Sequence, residues 1–280
     1  MSARVAIQGE RGAFSHEAAL ALAGPDAALV FTPSFDALFE ALAGGAAERA
    51  LVPIENSLHG SIHENYDRLK QGAAHVVGEH VLPVRQCLIA RPGSALADVR
   101  RVASHPVALA QCRRFFATHP GIEAVVAADT AGSVRLLMAG ELPADAAIAS
   151  ALAAREYGAS VLRAGVEDDP RNFTRFLLLA REPHVEPGAD KTSLVLTLPD
   201  RPGALHRALG AFASRGVDLS KIESRPLPGR PFEYAFYLDV IGDPRGVCGD
   251  ALAELRGLAS ELRVLGSYRA AREQPPGPEA

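Results

Sequence analysis

The sequence predicts an α/β protein followed by a smaller ferredoxin-like unit. Short apolar runs alternate with alanine-rich helical stretches from Arg4 to about Ala180, a proline-bearing joint stands at 181–188, and a strand-helix-strand-strand-helix-strand pattern follows it. At 280 residues, 48% hydrophobic and 22% charged, the chain is long enough for two cores of roughly 100–200 residues each.

In chain order, strands are expected near Val5–Ile7, Ala50–Ile54, Val102–Ala103, Val125–Ala128, Ala147–Ala149 and Phe176–Ala180, largely parallel, with helices between them. Ser61 and Glu64 have the S-x-x-E spacing of a capping box, which predicts a helix start there and leaves Glu55-Asn56-Ser57 in the preceding strand-to-helix loop. Similar junctions stand at Gly9–Ser15, Ser104–Pro106 and Asp129–Ser133. In open α/β sheets such loops gather at the carboxyl ends of the strands, where helix N-termini offer free N–H groups to an anion, so the pocket is expected there.

The joint 181–188 carries two prolines and a glycine without apolar periodicity and reads as a linker. Beyond it come a strand at Thr192–Leu198, a turn at Asp200–Gly203 and a helix at Ala204–Ser214 that stops near Gly216. Strands at Val217–Glu223 and Tyr234–Val240, a helix over about Gly249–Leu262 and a strand at Val264–Tyr268 complete a βαββαβ order. The proline-rich end has little to bury and is expected to be disordered.

Composition narrows the function. A formal charge of -4 gives no electrostatic reason for nucleic acid or a membrane surface, which leaves a small molecule. Cys87, Cys112 and Cys248 form no CxxC pair and read as buried thiols of a reducing compartment. The start at Met1–Val5 shows no apolar signal region and no run of about 18 apolar residues occurs, so the cytoplasm is expected. His59, His63, His75 and His80 lack HExxH or clustered ligand spacing, so no metal is expected. Gly9-x-x-Gly12 reads as a tight turn rather than a dinucleotide loop, because Ile7 occupies the first glycine position of GxGxxG.

Four segments in order, Gly9-Glu10-Arg11-Gly12-Ala13-Phe14-Ser15, Pro53-Ile54-Glu55-Asn56-Ser57, Ser104-His105-Pro106 through Ala110-Gln111-Cys112, and Asn172-Phe173-Thr174-Arg175-Phe176, resemble the signature of the prephenate dehydratases. Gly203-Ala204-Leu205 and Lys221-Ile222-Glu223-Ser224-Arg225-Pro226 resemble the phenylalanine-binding motifs of that family's ACT domain, so the resemblance covers nearly the whole chain. Ala13 stands where many bacterial members carry Thr or Ser, so no hydroxyl role is assigned to it. With Gly60-Ser61-Ile62-His63 and Leu265-Gly266-Ser267-Tyr268 it is also similar to plant-type arogenate dehydratases.

The resemblance implies a catalytic domain over 1–184, built of two α/β lobes like those of type II periplasmic binding proteins, an ACT domain over 191–270 and a tail over 271–280. It implies cofactor-free decarboxylating dehydration of prephenate to phenylpyruvate. The alternatives are arogenate as substrate, or a non-catalytic amino-acid sensor. The chain opens on the first lobe, so the chorismate mutase helix fused in some relatives is expected to be absent. Such a site must bind two carboxylates, hydrogen-bond the departing hydroxyl and exclude water from the carboxylate that is lost. Thr174 is the residue the resemblance marks as catalytic, as a hydrogen-bond donor to the leaving oxygen; Glu55 is the candidate general acid and His105 its rival. Asn56, Ser57, Ser104, Gln111 and Thr130 are expected to orient substrate, Arg175 to grip a carboxylate, and Phe176 to pack under the ring or the strand. Taken singly, these motifs have structural readings: Ser104 and Thr130 as helix caps, Glu55 and Asn56 as loop locks, Arg175 in an ion pair. Gly203, Ala204, Leu205, Glu223 and Ser224 are expected to take phenylalanine as inhibitor, in a homodimer or homotetramer.

Overall fold

The computed structural model describes residues 3–72 and 74–271. It opens with β1 (Val5–Gln8), α1 (Phe14–Ala23), β2 (Leu29–Thr32), α2 (Phe35–Ala43), β3 (Arg49–Asn56), β4 (Gly60–Ser61), α3 (His63–Gln71) and β5 (His75–Pro83). Then follow β6 (Cys87–Ala90), β7 (Arg101–Ser104), α4 (Pro106–Ala110), α5 (Arg113–Thr118), β8 (Glu123–Val126), α6 (Thr130–Ala139), β9 (Ala146–Ala149), α7 (Ala151–Tyr157), β10 (Ser160–Ala164) and β11 (Phe173–Ala180). The last stretch is β12 (Lys191–Thr197), α8 (Ala204–Ala213), β13 (Asp218–Leu227), β14 (Arg230–Ile241), α9 (Val247–Leu258) and β15 (Glu261–Tyr268).

Two mixed sheets form the two lobes. The first runs β2-β1-β3-β11-β5, with β1 parallel to both neighbours. The second runs β10-β6-β9-β7-β8, where β7 is parallel to β8 and β9, and β6 is antiparallel to β9 and β10. Side chains cap the helices that begin at the strand ends. Ser34 accepts from Ala37 N at 3.2 Å, Ser150 from Ala153 N at 3.0 Å, and Asp129 caps α6 through Gly132 N. Glycines in the left-handed region, Gly140 and Gly158, close α6 and α7. Strand β6 is buried along its whole length and gives no alternation to read, and β2, β5 and β10 likewise went unrecognised in the sequence. Helix α3 begins at His63, two residues after Ser61, because Ser61 pairs with Glu55 across β3 and β4.

By packing, one compact unit comprises the chain up to Asn65 with His80–Phe176, and the other Tyr66–Glu79 with Leu177 onward. The second unit holds the sheet β13-β14-β12-β15, all antiparallel, in ferredoxin-like order. Strand β12 is buried on both faces. Leu194 and Leu196 meet Phe212 of α8 and Leu252 and Leu255 of α9 on one face. On the other, Lys191 Nζ lies 3.0 Å from both carboxylate oxygens of Glu79. Arg263 donates to the carbonyls of Leu69, Lys70 and Ala74 at 3.1, 3.1 and 2.9 Å and to that of Gly72, so its guanidinium caps the C-terminal end of α3. The expected tail lies, from residue 272 on, outside the described residues.

Candidate active site

The first unit contains a cavity of about 560 Å³, large enough for a small aromatic acid. Of the residues expected at the site, Asn56, Gln111, Thr130, Thr174 and Phe176 line it, as does His105. Alternation along β11 explains the selection: Thr174 and Phe176 share a face, and Arg175 falls on the other. There its Nη1 pairs with Glu55 Oε1 at 3.1 Å.

Asn56 ends β3, and its orientation is fixed by the backbone. Its Oδ1 accepts from Leu58 N and His59 N at 3.0 Å each, an Asx turn, so Nδ2 is the donating end. Nδ2 donates to Asn172 Oδ1 at 2.7 Å and to Phe173 O and Thr174 Oγ1 at 3.1 Å each. Thr174 therefore receives a hydrogen bond on its oxygen and keeps its proton for the cavity. Gln111 is held from behind by Gln86, whose Nε2 donates to Gln111 Oε1 at 3.2 Å.

Glu55, Ser57, Ser104 and Arg175, also expected here, do not line the cavity. Ser57 Oγ accepts from Phe173 N and donates to Arg171 O, both at 2.9 Å, tying the loop after β3 to β11. Ser104 is fully buried and its Oγ donates to Ile148 O at 2.6 Å, a tie between β7 and β9. Ser57 and the Glu55–Arg175 pair brace the strands that carry Asn56 and Thr174, while Ser104 braces the sheet of the second lobe. Sequence reasoning missed Phe14, Ser15, His59, Glu64 and Gln86, which also line the cavity. Phe14 and Ser15 belong to the Gly9–Ser15 segment, while Gln86 lies between β5 and β6 and carries no local signal.

No lysine or arginine lines the cavity among the described residues. Two helix starts reach it: Phe14 and Ser15 are in the first turn of α1, and Thr130 opens α6, whose N-cap is Asp129. Ala13, the N-cap of α1, makes no side-chain bond to that turn, which leaves the N–H groups to a ligand.

The lobes meet beside this cavity. Gly12 O accepts from Ser150 Oγ at 2.6 Å, and Gly12 N donates to His16 Nδ1 at 2.9 Å. Arg135 grips Glu10 through Nε and Nη2 at 2.6 and 2.9 Å, which holds the Glu10 carboxyl below its ordinary range. Burial pushes His16 below its ordinary value and raises the Cys112 thiol to about 12, so Cys112 is no nucleophile. In the second unit, Gly203 (φ 76°) is the left-handed residue ahead of α8, Ala204 and Leu205 begin that helix, and Glu223 and Ser224 lie within the edge strand β13.

A family model for prephenate dehydratase matches residues 5–184, and one for the ACT domain matches residues 192–246. Arogenate dehydratase 2 of Petunia hybrida is 45% identical over 285 residues, covering 95% of this chain and 71% of the relative. Arogenate dehydratase/prephenate dehydratase 2, chloroplastic, of Arabidopsis thaliana is 45% identical over 278 residues, covering 95% and 72%. The crystal structure of prephenate dehydratase in complex with L-Phe from Arthrobacter aurescens superposes with a TM-score of 0.89 at 38% identity, over 97% of this chain and 91% of that one. A structure described as a novel type of quorum quenching acylase superposes with a TM-score of 0.88 at 37% identity, over 96% and 98%. Among the described residues no helix is long and apolar enough to cross a membrane.

Proposed function

Since the chain belongs to the prephenate dehydratase family and carries an ACT domain, we propose that it converts prephenate to phenylpyruvate, as a carbon-oxygen lyase inhibited by phenylalanine. The bond from the ring to its carboxylate breaks and leaves CO2; its electron pair enters the ring and expels the C4 hydroxyl, which takes up a proton and departs as water. Aromatisation drives the change.

The observation that carries this reading is the Thr174 hydroxyl at the cavity wall, its oxygen held by Asn56 Nδ2 at 3.1 Å and its proton free to meet the leaving oxygen. A hydrogen bond that strengthens as charge builds on that oxygen lowers the barrier by about 2.7–4 kcal/mol. His105 Nδ1 accepts from Val107 N at 3.2 Å, so its other ring nitrogen carries the hydrogen and serves as the second donor. Substrate carboxylates are taken by the N–H groups at the start of α1 and by Gln111. Ile62, Val84 and Phe176 give the walls that keep water from the carboxylate to be lost. Glu55 and Arg175 are assigned to holding β3 beside β11 rather than to the chemistry.

Arogenate is the second reading, and the 45% identity to plant enzymes described as arogenate dehydratases favours it. The two substrates differ in a keto or an amino group on the side chain. Feedback by phenylalanine is supported by the ACT match and by the L-Phe complex of the Arthrobacter relative, with Gly203–Leu205, Glu223 and Ser224 as its site. Strand β13, with one edge unpaired among the described residues, supports assembly as a homodimer or homotetramer. Three free, buried cysteines suit a cytoplasmic protein.

The test follows aromatic product and CO2 from prephenate and from arogenate, with and without phenylalanine. Thr174→Ala should lose about 10²–10³ in kcat. Binding of either acid without release of CO2 would make the protein a sensor and end the enzymatic reading.

A further inference from the structure

Asn172 stands behind the catalytic wall. It is 1% exposed and does not line the cavity, yet it makes the shortest bond in the cluster, accepting from Asn56 Nδ2 at 2.7 Å. We propose that Asn172 is a positioning residue for Thr174, acting through the amide of Asn56. The inference rests on the enzymatic reading above and names a residue that it leaves without a role.

Asn56 Nδ2 has two hydrogens and three acceptors, Asn172 Oδ1 at 2.7 Å and Phe173 O and Thr174 Oγ1 at 3.1 Å. The shortest bond claims one hydrogen. With Oδ1 of the same amide fixed by Leu58 N and His59 N, that bond sets the rotation of the amide plane and turns the second hydrogen toward Thr174 and the adjoining carbonyl. Filling a lone pair of Thr174 Oγ1 directs its proton away from Asn56 and polarises the hydroxyl, which makes it a stronger donor to a leaving oxygen. Asn172 is itself located by its backbone, its carbonyl accepting from Val84 N at 2.7 Å.

The other end of Asn172 supports this use. Its Nδ2 is buried and has no hydrogen-bond partner among the described residues. A buried donor without a partner is a cost that a side chain needed only for packing would not carry. What the structure draws from Asn172 is the acceptor oxygen.

The experiment measures kcat and KM on whichever acid the wild-type protein converts. Asn172→Ala is expected to lower kcat about tenfold while KM stays within about twofold, because the hydroxyl it aims acts in the transition state. In a Thr174→Ala background the same change should have no further effect, since nothing remains to be aimed. Asn172→Asp keeps an oxygen at the acceptor position and should recover most of the lost kcat. A raised KM at unchanged kcat, a full additional loss in the Thr174→Ala background, or an aspartate variant no better than alanine would each overturn the proposal. Should Asn172→Ala fail to fold, Asn172→Asp alone answers the question: kcat within about threefold of wild type supports it, and a loss as deep as that of Thr174→Ala refutes it. A wild-type protein that turns over neither acid would remove the enzymatic reading and this inference with it, whereas an active wild type and an unaffected Asn172→Ala would remove this inference alone.

Discussion

Gly12→Ala should be among the most damaging single-methyl additions in this chain. Gly12 has φ +80°, where alanine costs about 1–2 kcal/mol. A Cβ there would lie 2.8 Å from Ala153 Cβ and 2.9 Å from Ala153 N and would press on Ala153 Cα, all within the first turn of α7. Ordinary contact between carbons is about 3.5–4.0 Å, so the loop or the helix must retreat by about an ångström, at about 1–3 kcal/mol for overpacking. That retreat also stretches the bond from Ser150 Oγ to Gly12 O, now 2.6 Å, whose loss costs about 0.5–1.5 kcal/mol. The whole effect is about 3–6 kcal/mol, beyond the usual range of point substitutions. Urea unfolding of the full chain reads it as a fall in midpoint at unchanged slope. Because Phe14 and Ser15, two and three residues after Gly12, line the cavity, kcat/KM should fall in the variant that remains folded. A variant with a wild-type midpoint and wild-type turnover would refute the close approach of this loop to α7.

His16 gives a pH dependence: its pKa is lowered in the folded protein, so the unfolded chain binds the proton first, and the stability it contributes is complete above pH 6.5 and is lost as pH falls through the lowered value. Protonation also removes the acceptor for Gly12 N, so the urea midpoint should drop below pH 6.5 in the wild type and drop less in His16→Asn, where only His80, also lowered by burial, still contributes in that window. Lys191→Met removes a buried cation from Glu79 and should lower the midpoint of chemical denaturation, whereas the double change with Glu79→Leu should regain most of the loss. Gly266→Ala would set a methyl against Val76 O, 2.8 Å from the carbonyl carbon and 3.0 Å from the nitrogen of that residue; a soluble, unaltered thermal melt would contradict the close approach of β15 to the start of β5.

Some of this was legible because it is local. The βαββαβ order and the strands at Val5, Ala50 and Ala147 follow from period and turn residues, which neighbours along the chain decide. The four motifs each contribute residues to the lining of the one cavity described above, since the sharp turns at strand ends write themselves as Gly, Asn and Ser in the sequence. Missing were strands such as β6, buried throughout and hence without alternation, and the placement of Tyr66–Glu79 with the second unit. That segment precedes the linker by about a hundred residues, and nothing near it announces Arg263 or Lys191.

The residues themselves determined which chemistry the chain can support: a threonine and an asparagine at the ends of strands, a glutamine just after a short helix, three inert thiols and no metal-ligand spacing. Only the tertiary structure decided which side chains face the cavity. In an extended strand neighbours point to opposite sides, so Thr174 meets the ligand space while Arg175, one position along, turns to Glu55. Side-chain direction depends on which face of a strand another layer covers, and that is settled by contacts between residues more than a hundred positions apart, such as Asn56 with Asn172 and Thr174.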